Sequence, residues 1–253
     1  MEPTIIIKAT DIVKTFTEKK VSVSVLKGIH LSIKQGEFVA VMGRSGAGKS
    51  TLLYQLSLLD IPTSGEIIID GKNANLFSDS EKTLFRLHTL GYVFQDYSLL
   101  PELSALENVI VPLLMQGVSK QDAVEKARKA LKNVGLDHHE NNLPSELSGG
   151  EQQRVSIARA ITHSPKILFA DEPTANLDLT SSHLVMDIFK KLNKEQGITI
   201  VMVTHEEDYG KMADRIIKLS DGQVVDHSHH VGVTAHKDPK IHTSKVLRHK
   251  SMC

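Results

Sequence analysis

The most chemically specific stretch of the sequence is Gly43-Arg44-Ser45-Gly46-Ala47-Gly48-Lys49-Ser50-Thr51. It follows the apolar run Phe38-Val39-Ala40-Val41-Met42 and leads into Leu52-Leu53-Tyr54-Gln55-Leu56, so the local order is strand, glycine-rich loop, helix. Glycines carry no Cβ, which lets backbone N–H groups turn inward toward phosphate oxygens. The helix that follows aims unpaired donors and a partial positive charge at the same anion. In that setting Lys49 is expected to reach the β- and γ-phosphates, and the Ser50 hydroxyl to ligate Mg²⁺. The expected ligand is a nucleoside triphosphate held by residues 43–51.

Other polar groups follow apolar runs. Gly91-Tyr92-Val93-Phe94 reads as a buried strand that ends on Gln95. Ile167-Leu168-Phe169-Ala170 is closed by two carboxylates, Asp171 and Glu172, ahead of Pro173. Ile198-Thr199-Ile200-Val201-Met202-Val203 ends at Thr204-His205. Taken alone, an Asp-Glu pair reads as a helix-start cap and a lone histidine as structural. Phe16, upstream of the glycine-rich loop, offers a face for a purine ring or else plugs a strand edge. Ser148-Gly149-Gly150 opens a helical pattern, so it is a second anion site by the same donor-and-dipole argument.

The elements that must position these groups are legible in outline. Ile5-Ile6-Ile7 and Val21-Ser22-Val23-Ser24-Val25 read as strands, the second with the period-two alternation of a half-exposed antiparallel strand. Glu66-Ile67-Ile68-Ile69 is a strand ending in an Asp70-Gly71 turn, and Ser78-Asp79-Ser80-Glu81 opens a short helix toward Leu90. From Ser104 to Val134 the pattern is helical, interrupted near Gly117, with Ser119 as N-cap and an apolar face of Val124, Ala127, Leu131 and Val134. Residues 137–144 form a polar loop whose His138 and His139 read as solvated. A helix after Thr180 is expected to bury Leu184, Val185, Ile188, Phe189 and Leu192. Strands apolar on both faces, alternating with helices, predict an α/β fold around a parallel sheet covered on both sides. Functional residues at the C-terminal ends of its strands lie where such sheets bind ligands.

Composition bounds the rest. The 253 residues fit one large domain or two tightly joined lobes. Formal net charge is zero, so no basic field attracts nucleic acid, and no nucleic-acid partner is expected. The single cysteine, Cys253, cannot form an internal disulfide, which fits a reducing compartment. The N-terminus lacks a basic segment followed by a long apolar one, and no apolar run is long enough for a membrane span, so any membrane role is expected to be peripheral. From His227 the composition changes: six of the thirteen histidines lie in 227–253, with Lys and Ser. This segment reads as a mobile tail, with a metal-binding tract as the sharper alternative.

Leu147-Ser148-Gly149-Gly150-Glu151-Gln152-Gln153 resembles the signature sequence of ATP-binding-cassette (ABC) ATPases. With the glycine-rich loop, Asp171-Glu172 and His205 it makes the superfamily's ordered set, over about residues 4–226. The resemblance implies a P-loop NTPase fold with a RecA-like core, an antiparallel β subdomain and a helical signature subdomain at about 96–160, with 227–253 as the tail. It further implies ATP hydrolysis with Mg²⁺. Asp171 is then expected to hold the metal, and Glu172 to be the general base for the attacking water, the two dividing labour because consecutive strand side chains point to opposite sides. Gln95 resembles the glutamine that contributes to the Mg²⁺ and water shell, and His205 the switch histidine at the γ-phosphate. Ser148, Gly149 and Gly150 are expected to close on ATP held by the P-loop of a second copy, with Asp178 crossing the interface, so the working unit is an ATP-sandwiched homodimer.

The segment Tyr92–Gly117 and the Glu151 of the signature resemble the lipoprotein-release and macrolide-export subclass. That likeness implies an ATPase at the inner face of the cell membrane, cytoplasmic and peripheral, paired with a separate integral-membrane permease. Two departures, Phe16 where tyrosine is common and Ala175 where glycine is common, keep ring and small size. The histidine-rich tail has no family counterpart. A regulatory ATPase of the cell-division type, acting through a permease-like partner on cell-wall hydrolases, would look nearly the same. Soluble ABC proteins of translation or DNA repair carry two cassettes or a long coiled-coil insertion, and this sequence has neither.

Overall fold

The structure is a computed structural model that describes residues 4–18 and 21–229. Two sheets organise these residues. The first is antiparallel: β1 (Ile5–Glu18), β2 (Val21–Lys34), β4 (Ser64–Ile69) and β5 (Lys72–Asn73), in the order β2-β1-β4-β5. The second contains β3 (Phe38–Met42), β6 (Leu90–Val93), β7 (Ile167–Asp171), β8 (Thr199–Val203), β9 (Arg215–Ser220) and β10 (Gln223–His229), in the order β10-β9-β3-β8-β7-β6. Only β10 in this second sheet is antiparallel to its neighbour.

The helices are α1 (Lys49–Leu56), α2 (Asp79–Thr89), α3 (Ala105–Met115), α4 (Lys120–Asn133), α5 (Gly149–Ile161), α6 (Leu179–Gln196) and the short α7 (Glu207–Gly210). Their starts follow the residue types that satisfy orphan N–H groups. Ser78, Ser104, Ser119, Ser148 and Asp178 cap α2 to α6 with side-chain oxygens.

The all-apolar strands are explained by two cores, one on each face of the parallel sheet. Phe38, Ala40 and Met42 face a core shared with α3 to α6, together with Leu168, Ala170, Ile200 and Met202. Val39, Val41, Phe169 and Val201 face the other core, shared with α1 and the antiparallel sheet. Period-two alternation thus serves two apolar faces instead of one apolar and one wet face. The sheets are also joined by a buried ion pair: Arg215 Nε donates to Glu37 Oε1 at 2.8 Å, and Arg215 NH2 donates to the Ser32 carbonyl of β2 at 2.7 Å.

Several sequence expectations are corrected here. β1 and β2 are each 14 residues long, and Phe16 lies within β1, not between two short strands. The pairing runs on through the polar Lys14, Thr15 and Thr17 to Glu18, with register shifts along the way. Val21 and Val23 are exposed rather than alternately covered. Leu184 is exposed because the buried stripe of α6 runs through Ser182, Val185, Met186, Phe189 and Leu192 at helical spacing and leaves that position on the outer face. β9 and β10 were not anticipated, although Asp221-Gly222 between them is a hairpin signal; both residues have positive φ, 46° and 73°. β10 carries backbone pairing to His229, three residues into the segment assigned to a tail. The rest of that segment, 230–253, with its proposed mobility and metal-binding tract, lies outside the described residues.

Candidate functional site

The glycine-rich loop runs from the end of β3 to the start of α1. Gly48 occupies the N-cap of α1 with φ 97°, and α1 has no side-chain cap, unlike α2 to α6. Its first N–H groups are therefore left for a ligand anion. Gly43 is needed for a different reason from donor access: a Cβ there would lie 2.2 Å from the Leu219 carbonyl oxygen of β9. Ala47 is buried, and its carbonyl accepts the Gly222 N–H at 3.2 Å. Ser50 and Thr51 sit half-buried in the first turn of α1.

At the head of α1 the Lys49 side chain is buried. Its Nζ donates to the Arg44 carbonyl at 3.3 Å and lies 3.9 Å from Glu172 Oε1. The Ser50 hydroxyl donates to Asp171 Oδ1 at 3.0 Å. Burial pushes the Asp171 carboxyl above its ordinary value; the Ser50 hydrogen bond opposes this, Glu172 reinforces it and Lys49 opposes it. His205, past the end of β8, holds Glu172 through an Nδ1···Oε2 contact of 2.6 Å. Lys49, Glu172 and His205 line a cleft of about 700 Å³, together with Gly43, Arg44, Ser45 and Lys218.

The division of labour between the two carboxylates has a different origin from strand alternation. β7 ends at Asp171, and Glu172 is already outside it, in the left-handed region at φ 45°. Its N–H is fixed by the Val203 carbonyl at 3.0 Å. A non-glycine residue there costs about 1–3 kcal/mol, and such strain collects where side chains must be aimed. It turns Glu172 toward His205 while Asp171 turns to Ser50.

Ser50 and Asp171 suit Mg²⁺. Both offer hard oxygen ligands, and a cation beside the buried Asp171 would favour its charged form. Among the described residues no group of three His, Cys, Asp or Glu is gathered to hold a metal alone. Mg²⁺ is commonly bound by one or two protein oxygens together with substrate phosphates, which is the arrangement this pair can complete.

The cleft wall does not contain every predicted site residue: Gly46, Ala47, Gly48, Ser50, Thr51 and Asp171 are near chain neighbours of residues in the wall without lining it, and Phe16, Gln95, Ser148, Gly149 and Gly150 do not line it either. Gln95 lies two residues beyond β6 instead of at its last position, and its carbonyl accepts a hydrogen bond from Asn176 Nδ2 at 3.2 Å. Phe16 is 48% exposed. It pairs with Val23, and two residues further along β2 the Val25 carbonyl lies 3.1 Å from where a Gly48 Cβ would be. An exposed aromatic face thus stands within a few residues of the phosphate loop.

Ser148 caps α5 in a reciprocal box: Glu151 N–H donates to Ser148 Oγ at 3.3 Å, and Ser148 N–H donates to Glu151 Oε2 at 2.8 Å. His139 approaches Glu151 Oε1 at 3.4 Å and is half-buried, so of the two histidines expected in solvent only His138 is largely exposed. The signature glycines are packing requirements as well. A Cβ on Gly149 would meet the Tyr97 hydroxyl at 2.9 Å, and one on Gly150 would meet Ser181 Oγ at 2.5 Å. Tyr97 and Ser98 have φ 63° and 47°, and their carbonyls accept from the Arg159 guanidinium of α5 at 3.0 and 2.7 Å. Sequence reading did not find Tyr97, Arg159 or Lys218, because no local motif marks a residue whose role is set by a distant contact.

Three comparisons bear on this arrangement. The family profile described as "ABC transporter" matches residues 26–175. The lipoprotein-releasing system ATP-binding protein LolD of Aquifex aeolicus is 52% identical over 201 residues, 79% of this chain and 89% of that protein. The macrolide export ATP-binding/permease protein MacB of Syntrophobacter fumaroxidans is 45% identical over 229 residues, 90% of this chain but 32% of that longer protein. Among solved structures, the dimeric post-hydrolysis state of the ATP-binding cassette MJ0796 bound to ADP and Pi superposes with TM-score 0.84 at 41% identity, covering 90% of this chain and 100% of that one.

Proposed function

We propose that this chain, which belongs to the ABC transporter family of ATP-binding proteins, binds and hydrolyses ATP to drive a separate membrane permease in export or lipoprotein release. The observation that carries the catalytic half is the Glu172–His205 contact of 2.6 Å beside the buried Lys49 at the head of α1. Lys49 and the N–H groups of residues 43–51 bind the phosphates of ATP, and Phe16 receives the base. Ser50 and Asp171, joined by Gln95, would hold Mg²⁺, which when bound neutralises charge on the β- and γ-phosphates. With Oε2 committed to His205, Glu172 Oε1 is the oxygen that orients the attacking water and takes its proton. His205 keeps that carboxylate aimed and presents its other ring nitrogen to the γ-phosphate. Positioning and charge stabilisation supply most of the rate in such phosphoryl transfer.

Ser148, Gly149 and Gly150 do not line the cleft of their own chain, which supports a site completed by a second copy. The solved cassette MJ0796 is dimeric and bound to ADP and Pi, which supports the same reading. Two chains then close head to tail on two ATP molecules, and hydrolysis reopens them. We assign the nucleotide-binding unit to residues 4–226 extended by the end of β10, with the helical subdomain at about 96–160.

No helix among the described residues is long and apolar enough to cross a membrane. We place the chain on the cytoplasmic, inner face of the cell membrane, held there by its permease. The test is Mg²⁺-dependent phosphate release by the full-length protein, alone and after co-expression with candidate four-helix permeases. Stimulation by one permease and its co-purification are the expected result. Absence of ATP turnover in both states overturns the proposal.

A further inference from the structure

The proposed base platform has a charged side chain set against its ring. Lys14 and Phe16 are two residues apart on β1, and Lys14 Nζ lies 5.0 Å from the centroid of the Phe16 ring. The ammonium is not a free surface charge. Its side chain is only 12% exposed, and it meets Asp60 Oδ1 at 2.8 Å, Asp60 Oδ2 at 2.7 Å and the Ile61 carbonyl at 2.7 Å. All three of its donors are therefore directed, and the nitrogen is fixed against the ring. The 60–63 segment is itself bound to β1: Thr63 N–H donates to the Val13 carbonyl at 2.8 Å, and Thr15 N–H donates to Thr63 Oγ1 at 3.0 Å.

Asp60 connects this assembly to the phosphate loop. Gln55, fully buried in α1, donates through Nε2 to Asp60 Oδ2 at 2.9 Å. Burial pushes the Asp60 carboxyl up, but the bonds from Lys14, the Ile61 amide and Gln55 outweigh it and leave the group below its ordinary value. A continuous chain thus runs from α1, whose N-terminus faces the phosphates, through Gln55, Asp60 and Lys14 to the ring of Phe16. A second route joins the same ends, because Phe16 pairs with Val23 of β2 and Val25 lies against Gly48.

We propose that Lys14 is a positioning residue for the nucleobase: it fixes the Phe16 ring from one side and ties it through Asp60 and Gln55 to α1. Base platform and phosphate cradle are then held as one rigid span. This rests on the reading of Phe16 as the base platform. Cation–π attraction supplies part of the hold, and pre-organising the ring lowers the ordering cost of binding the base.

The experiment compares ATP with tripolyphosphate, which has no base, by isothermal titration of the full-length protein in EDTA to prevent turnover. Lys14→Met is expected to weaken ATP about two- to fivefold, the range of a partly exposed cation–π contact, with tripolyphosphate unchanged. Lys14→Arg, which keeps a cation near the ring, is expected to restore ATP affinity. A purely structural Lys14 would move both ligands together, so equal weakening of both, or of neither, overturns the inference. Phe16→Leu separates the two readings. If it leaves the ATP-to-tripolyphosphate ratio unchanged, the platform itself is wrong and the Lys14 role falls with it. If it lowers the ratio while Lys14→Met does not, Lys14 alone is refuted. Should Lys14→Met fail to fold, Lys14→Gln, which removes the charge but retains a hydrogen-bonding head, is titrated in its place.

Discussion

Glu172 and His205 follow different strands, β7 and β8, and meet at 2.6 Å between Oε2 and Nδ1. The contact exists because β7 and β8 are parallel neighbours, with Asp171 level with Val203. Each strand therefore delivers its polar residue at the same edge of the sheet. The left-handed turn at Glu172 then bends the carboxylate toward the ring.

Replacing that carboxylate isolates its role. Glu172→Gln keeps the side-chain shape but removes the proposed base, so phosphate release should fall by about a hundredfold or more. ATP binding should persist, and a dimer should accumulate when ATP is added, read by size-exclusion chromatography. An unchanged rate would falsify the base assignment.

Lys49 makes one long hydrogen bond to the Arg44 carbonyl and is otherwise buried near Glu172. Its ammonium is poised for an anion. Lys49→Ala should weaken ATP binding by about ten- to a hundredfold, the range for a hydrogen bond to a charged group. Equilibrium titration with a fluorescent ATP analogue measures it.

A methyl group on Gly149 would stand 2.9 Å from the Tyr97 hydroxyl, so the Tyr97 side chain must shift to admit it. Gly149→Ala should leave ATP binding to the isolated chain intact while reducing ATP-driven dimerisation and hydrolysis. Tyr97→Ala in the same chain opens the space and should recover part of the dimerisation. No recovery in the double variant would show that the contact with Tyr97 is not the cause.

Arg215 and Glu37 are both about 10% exposed and joined at 2.8 Å, with a further bond from Arg215 to Ser32. Removing one partner strands the other charge in a largely buried setting. Arg215→Ala should cost about 3–5 kcal/mol in urea unfolding. A loss within about 0.5 kcal/mol, as for an ordinary surface site, would mean the pair does not join the two sheets energetically.

The Asp60 carboxyl is held below its ordinary value of 3.8 in the folded chain. A depressed acid contributes stability above its unfolded value and loses that contribution as pH falls through the folded one. The melting-temperature advantage of the native protein over Asp60→Asn should therefore be full near neutral pH and shrink below 3.8. Thermal melts at stepped pH report it, and an advantage that grows on acidification contradicts the assignment.

Much of this molecule is legible from one dimension. The loop Gly43–Thr51, the apolar strands ending near Gln95, Asp171 and His205, and the caps at Ser78, Ser104, Ser119 and Ser148 each depend on neighbours within a few residues. Spacing and residue type therefore suffice to read them. The features that were missed depend on long-range placement. Leu184 turns outward because of which face of α6 packs on the core, and Arg215-Ile216-Ile217-Lys218 becomes a strand through its pairing with β3.

Sequence alone determined which chemical groups this protein possesses and that they follow apolar strands, because a side chain's type and the two-residue strand period are local properties. Tertiary structure decided how those groups face one another. The bond from the Val203 carbonyl that fixes Glu172, the Tyr97 hydroxyl set against Gly149, and the hold of Asp60 on the Lys14 ammonium beside Phe16 arise only when segments tens of residues apart meet. Sterics and burial set these relationships, and neither acts until the chain has packed.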